Sequence, residues 1–320
     1  MPALRLQSLG YLPIPTATLR AESVLNCDIF IQRPGAAAAE LYRGQDYPLD
    51  EEDLNDLRDA GFDHLYIRAE DAESYRTYLH EHVLHQPDLN VAARLKALQE
   101  LTRAVFEEAF ARGNCDKLVS VASDYGQNLA TLVAQQPVVL KELFHTLQHD
   151  YYTFTHVCNV SLYCVLLAHR LGRCQGPSLA ELATGALLHD IGKRHVPAKV
   201  LNKTGKLTEE EWDLVREHPT TGFMDLVSRP DMTWSQLMMV YQHHERLDGT
   251  GYPAAIEGDE IHPWARLCAV VDVFDALTCH RPYRKAMPTS EACQYLEEHA
   301  GKWFDPDAIH CWLDQIRSAS

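Results

Sequence analysis

From about residue 90 the apolar positions recur every three to four residues, the spacing of one buried helix face. Val91–Arg112 and Lys117–Ala134 carry this period, with Gly113–Asn114 as the break between them. Pro137–Leu147 and Tyr151–Leu171 continue it, the latter stopping at Gly172. Ser178 with Glu181, and Thr208 with Glu211, form the capping-box spacing that starts a helix. The first of these helices is expected to run to His189–Asp190 and the second toward His218. Trp234–His244, Trp264–Cys279, Ser290–Ala300 and Pro306–Ile316 complete the helical series around a Gly/Pro-rich loop at 245–263.

The first 85 or so residues read differently. Val24–Gln32 and His64–Arg68 have strand composition, and Ala39–Tyr42 is placed to pair with the former. Asp50–Ala60 is a short acidic helix ending at Gly61, and Asp71–His82 a second helix. The expected fold class is therefore mainly α: an all-helical domain with a small N-terminal α+β module. The boundaries expected are 1–88 for the module, 89–148 for a helical connector and 149–320 for the main domain.

Composition narrows the chemistry. Hydrophobic residues make up 46% and charged residues 23% of the 320, as in a packed globular protein. A formal net charge of -16 disfavours non-specific binding of long nucleic acids. Nine cysteines without a CxxC pair read as reduced thiols, and no apolar run has the length of a membrane span. A cytoplasmic location is expected.

Two segments carry the chemistry. HDIGK at 189–193 and HHERLDGTGYP at 243–253 bring paired histidines, carboxylates and a lysine into short stretches. Imidazole and carboxylate together suit divalent first-row metals, and a shared aspartate can bridge two of them. Lys193, three residues after Asp190, puts a cation where an anionic substrate would lie. Isolated histidines such as His64, His145 and His310 read instead as ordinary core or surface residues. Asp272 sits among Val270, Val271, Val273 and Phe274, an apolar setting that is costly for a carboxylate unless it is paired or metal-bound. Asp275, three residues on, reads as a hydrogen-bond partner to a ligand.

With these residues in view, Tyr151–Ile316 resembles the HD-GYP domains, a branch of the HD phosphohydrolases that act on cyclic-di-GMP. VPAKVLNKTGKLTEEEW at 196–212, EHPTTG at 217–222, VVDVFDALTCHRPYRKAM at 270–287 and WFDP at 303–306 follow the family pattern, with Thr204 where a proline is usual. The resemblance implies seven metal ligands: His156, His189, Asp190, His218, His243, His244 and Asp272. Asp190 would bridge two divalent ions, iron or manganese, and His243 and His244 would point at neighbouring ions. It further implies that Lys193, Arg281 and Arg284 bind the phosphates or guanines, that Tyr252 stacks or packs the loop, and that Lys193 and Asp190 take part in catalysis. The implied reaction is hydrolysis of cyclic-di-GMP to pGpG, sometimes on to GMP, by a hydroxide bridging the metals. Alternatives are a different cyclic dinucleotide, or a binding module without turnover. A diguanylate cyclase partner and a homodimer are further expectations of the resemblance. The glutamate that holds a third metal in some relatives is replaced here by Tyr152, so a two-metal centre is expected.

Overall fold

The computed structural model describes residues 10–33, 36, 38–86, 89–135, 153–174, 176–279 and 285–319. The chain divides into two compact units, Met1–Leu101 and Thr102–Ser320.

The first unit is built on an antiparallel sheet of β1 (Tyr11–Pro15), β2 (Ile29–Ile31), β3 (Glu40–Arg43) and β4 (His64–Arg68), in the order β1-β4-β2-β3. Alternation along β2 sorts its side chains: Ile29 and Ile31 enter the main core with Ile14, Leu65, Ile67 and Leu79, whereas Phe30 joins Tyr66 on the opposite face. Helix α1 (Glu51–Asp59) opens on a reciprocal capping box, in which the Asp50 carboxylate accepts from the Asp53 amide and Asp53 accepts from Asp50. It ends where Gly61 takes a φ of +74°. Helix α2 (Ala72–Leu79) stops short of the expected His82 and continues as a π turn, His80–Leu84.

Strand β1 is not announced by the sequence, because YLPIP carries two prolines. It is tolerated because β1 is an edge strand. Thr16 N–H donates to Asp63 and the Gly10 carbonyl accepts from Ala69, so even-numbered residues turn their hydrogen-bonding groups toward β4. Pro13 and Pro15 therefore place their hydrogen-less nitrogens on the outer side of the sheet.

The second unit is helical. α3 (Val91–Ala111) begins in the first unit and is followed by α4 (Cys115–Gln135), α5 (Thr153–Arg170) and α6 (Pro177–Leu188). Then come α7 (Glu209–Arg216), α8 (His218–Leu226), α9 (Trp234–Gln242), α10 (Pro263–Thr278), α11 (Thr289–Glu298) and α12 (Pro306–Ala319). α6 is central, with Leu182, Ala183 and Ala186 wholly buried. α4 packs so closely on it that a Cβ at Gly126 would lie 2.5 Å from the Ala180 carbonyl oxygen. Tyr163, Phe274 and Trp312 lock α5, α10 and α12 together through ring contacts of 5.0–6.3 Å between centroids.

The Thr208–Glu211 capping box forms as expected, and a second one, Thr233–Gln236, starts α9. The Ser178–Glu181 box does not form. α6 begins two residues earlier, with Gly176 rather than Ser178 at the N-cap at a φ of +58° and proline in its first turn, so Ser178 is already inside the helix and cannot cap it. The expected helix Pro137–Leu147 lies outside the described residues. Among the described residues no helix is long and apolar enough to cross a membrane.

Candidate metal centre

Seven side chains from five elements converge inside the helical unit. α5 supplies His156, and the end of α6 supplies His189 and Asp190. α8 opens on His218, α9 closes on His243 with His244 next, and α10 supplies Asp272. Gly192 lets these parts meet. Its Cα in the 3-10 turn Ile191–His195 packs against the first turn of α8, where a Cβ would stand 2.0 Å from the His218 carbonyl oxygen.

The ligand atoms fall into two groups, each with all atoms within 4.8 Å of one another. One is Asp190, His218, His243 and His244; the other is His156, His189 and Asp272. Both adjacent histidines thus lie in the first group, although His244 Nδ1 is also 4.0 Å from Asp272 Oδ2. Asp190 stands between the groups. Its Oδ1 lies 3.2 Å from His218 Nε2 and 3.8 Å from His243 Nε2, while its Oδ2 lies 3.4 Å from His189 Nε2 and 3.8 Å from His156 Nε2. His156 Nε2 is 3.1 Å from Asp272 Oδ1.

The protein fixes which ring nitrogen faces inward. Nδ1 of His189, His218 and His243 sits 2.7, 2.7 and 2.9 Å from the carbonyls of Ala186, Val215 and Val240. A carbonyl only accepts, so each Nδ1 carries the proton and each Nε2 presents a lone pair to the centre. His218 Nε2 and His243 Nε2 consequently face each other at 3.1 Å. Two ligands on one ion, each about 2.0–2.1 Å from it in tetrahedral array, stand about 3.3 Å apart. His189 Nε2 and Asp190 Oδ1 are buried without a hydrogen-bond partner. This donor set fits divalent metal ions.

The electrostatics agree. Burial first, then the neighbouring His244, His189 and His218, holds the His243 imidazole neutral far below its usual range. Burial, with His218 next, pushes His244 down to about 3. Burial opposes the ionised form of Asp190, yet Lys193, His189 and His218 outweigh it and hold the carboxyl well below the usual range. Asp272 is likewise held low, with burial opposed by His156, His189 and His244. His243 and His244 are thus ready as neutral imidazoles and Asp190 and Asp272 as carboxylates, the forms that bind metal.

Lys193 Nζ lies 2.5 Å from Asp190 Oδ2, on the rim of the centre. Tyr252 stacks on His244, with centroids 4.7 Å apart and planes at 29°, and its peptide bond to Pro253 is cis. Arg281 and Arg284 lie outside the described residues, as does Tyr152.

Three supporting residues were not given these roles by sequence reading. Glu245 Oε1 accepts from the amides of Ala254 and Ala255 at 2.6 and 3.1 Å, tethering the glycine-rich loop beside His244. Gln242 Oε1 accepts from the His262 amide at 2.7 Å at the start of α10. Asn159 Nδ2 donates to Asp275 Oδ1 at 2.9 Å, and Asp275 Oδ2 lies 2.7 Å from His156 Nδ1. Asn159 was legible only through its spacing of three from His156, one helix face.

The HD-domain family matches residues 134–308, more than half of the 320-residue chain. This chain belongs to the HD-domain family. Cyclic di-GMP phosphodiesterase PA4108 of Pseudomonas aeruginosa is 37% identical over 195 residues, 61% of this chain and 47% of that protein. The 3'3'-cGAMP-specific phosphodiesterase 3 of Vibrio cholerae is 41% identical over 159 residues, 49% of this chain and 34% of that protein. The chain thus spans between a third and a half of the length of these curated relatives. A solved HDG"Y"P protein, Bd1817 of Bdellovibrio bacteriovorus, shares the fold with a TM-score of 0.66 over 96% of this chain and 99% of that one, at 22% identity. Within the chain, HDIGK at 189–193 and HHERLDGTGYP at 243–253 are the segments that carry the resemblance to the HD-GYP branch.

Proposed function

We propose that this HD-domain protein is a metal-dependent phosphodiesterase for a cyclic dinucleotide, with cyclic-di-GMP as substrate and pGpG as product. The observation that carries the reading is Asp190, whose two oxygens face two separate groups of metal-binding side chains. His218, His243 and His244 with Asp190 would hold one divalent ion, and His156, His189 and Asp272 with Asp190 the other. Such ions lower the pKa of water and polarise phosphate oxygens.

The remaining work falls to the chain itself. Carbonyls behind His189, His218 and His243 keep the lone pairs aimed inward, so the donor geometry is set before substrate arrives. Lys193 on the rim would neutralise charge building on the phosphoryl oxygens. Tyr252, held over His244 by the Glu245-tethered loop, offers a flat face at the entrance for a base. Arg281 and Arg284 would contact the phosphates or guanines of the substrate. Iron or manganese is the metal on this reading, and the first unit has a regulatory or dimerising role in the cytoplasm, with a diguanylate cyclase as candidate partner.

The test is to incubate anaerobically purified protein with cyclic-di-GMP and, separately, with 3'3'-cGAMP, and to follow the linear dinucleotide by chromatography with and without a chelator. Chelator-sensitive pGpG release supports the reading. Turnover of 3'3'-cGAMP alone reassigns the substrate. A protein with both metals bound that releases no product from either is a binding module instead.

A further inference from the structure

The two ligand groups differ in what stands behind them. His189, His218 and His243 each donate Nδ1–H to a neutral main-chain carbonyl. His156 alone among these four is backed by a carboxylate, Asp275 Oδ2 at 2.7 Å, with both side chains 1% exposed. A carboxylate behind a ligating imidazole raises its basicity.

Asp275 is itself held from both sides. Oδ1 accepts from Asn159 Nδ2 at 2.9 Å, and Oδ2 accepts from the Cys279 thiol at 3.4 Å as well as from His156. Asn159 is buried, and only its amide NH2 can face a carboxylate without repulsion, so its orientation is fixed by Asp275.

The groups also differ in charge. His156 and His189 share their position with Asp272 and with Asp190 Oδ2, so two carboxylates are present. The group of His218, His243 and His244 contains the shared Asp190 alone, with Asp272 Oδ2 4.0 Å away from His244 Nδ1. Lys193 opposes this, since its ammonium lies against Asp190 Oδ2. One flexible ammonium at the rim is outweighed by Asp272 inside the group and Asp275 directly behind it.

We propose that the two metal positions are inequivalent: the His156–His189–Asp272 position fills first, because Asp275, locked by Asn159 and Cys279, charges the back of His156. The proposal rests on the two-metal reading above. Asn159 and Cys279 are positioning residues in it, since they act through Asp275 and His156.

The experiment is a Mn2+ titration of the chelator-treated full-length protein, with free Mn2+ followed by electron paramagnetic resonance. Wild type should bind two equivalents in resolved steps. Asn159→Leu should weaken the first step by about 10–100-fold, the range for loss of a partner behind a metal ligand, and leave the second in place. The reciprocal swap Asn159→Asp with Asp275→Asn keeps donors, acceptors and volume but moves the charge one residue away from His156. It should melt near the wild-type temperature and still show a weakened first step, which protects the test if Asn159→Leu folds poorly. Two indistinguishable steps in wild type, equal weakening of both steps by Asn159→Leu, or wild-type binding by the swap each overturn the proposal while leaving the hydrolase reading intact. A wild-type protein that takes up no Mn2+ and, as purified, no iron overturns both.

Discussion

Gly192 and His218 meet backbone to backbone, with room for a Cα and no more: a methyl group on Gly192 would stand 2.0 Å from the His218 carbonyl oxygen. The glycine between Asp190 and Lys193 is therefore a spacer of zero thickness that brings the end of α6 onto the start of α8. Gly192→Ala should cost about 1–3 kcal/mol, the usual range for overpacking against groups that cannot give way. Because the clash also pushes His218 from Asp190, metal content should fall with the melting temperature. A melt and a metal analysis of the variant check both.

Asp190 faces both ligand groups, so its replacement should do more damage than that of any single histidine. Asp190→Asn keeps the volume but offers one weak donor oxygen in place of a carboxylate. Its metal content should drop below about one ion per chain and chelator-sensitive turnover should vanish, while far-ultraviolet circular dichroism stays helical. Wild-type turnover in this variant would sink the metallohydrolase reading.

Arg281 and Arg284 should act on substrate alone. A charge-assisted hydrogen bond to a phosphate contributes about 1.5–3 kcal/mol, so Arg281→Ala combined with Arg284→Ala should raise KM roughly tenfold or more. Metal content should stay at the wild-type level. Unchanged affinity for cyclic-di-GMP, measured by calorimetry, returns both arginines to an ordinary exposed segment.

The centre should hold two metals per chain. Among the described residues the ligand atoms form two groups, and the position that carries a third-metal glutamate in some relatives is Tyr152 here. A phenol titrates near 10 and is a poor substitute for a carboxylate. Inductively coupled plasma analysis and anomalous scattering should give two ions, and three fully occupied ions would refute this.

Acid should loosen the metal-free protein in a defined window. His244 has its folded-state pKa depressed from 6.5 to about 3, so below pH 6.5 the unfolded chain takes a proton that the folded chain refuses. Stability is therefore full above 6.5, falls as the pH drops, and stops falling from this group near 3. His243, Asp190 and Asp272 are also held low and act in the same direction, the carboxylates at lower pH. Urea melts of chelated protein between pH 7.5 and 4 should show this decline. Metal excess should shift it to lower pH, because ions and protons compete for the same nitrogens.

The sequence was most informative where local signals and global packing agree. The 3.6-residue periods of α4, α5 and α10 and the capping box at Thr208 needed no knowledge of the rest of the chain. An HD pair alone arises often by chance; with IGK behind it and HHE at 243–245 it points to metal chemistry. What stayed hidden depends on neighbours remote in sequence. β1 looks like a loop until its edge position excuses two prolines. Ser178 looks like a cap until the preceding Pro177 starts the helix first. His243 and His244 share one group because Asp190 and His218, remote in sequence, reach both of them. Glu245 and Gln242 gain their roles only when the loop at 254–262 folds back to offer its amides.

The prolines of β1 also limit how chains of this kind can assemble. Of the outward-facing residues Tyr11, Pro13 and Pro15, two have no amide hydrogen to offer. An incoming strand would find no ladder there, so the sheet is sealed against extension on that flank. Strand-to-strand recruitment by the first unit, whether of a second copy or of a signalling partner, is left to the β3 flank, and oligomers built through this sheet would be paired rather than open-ended.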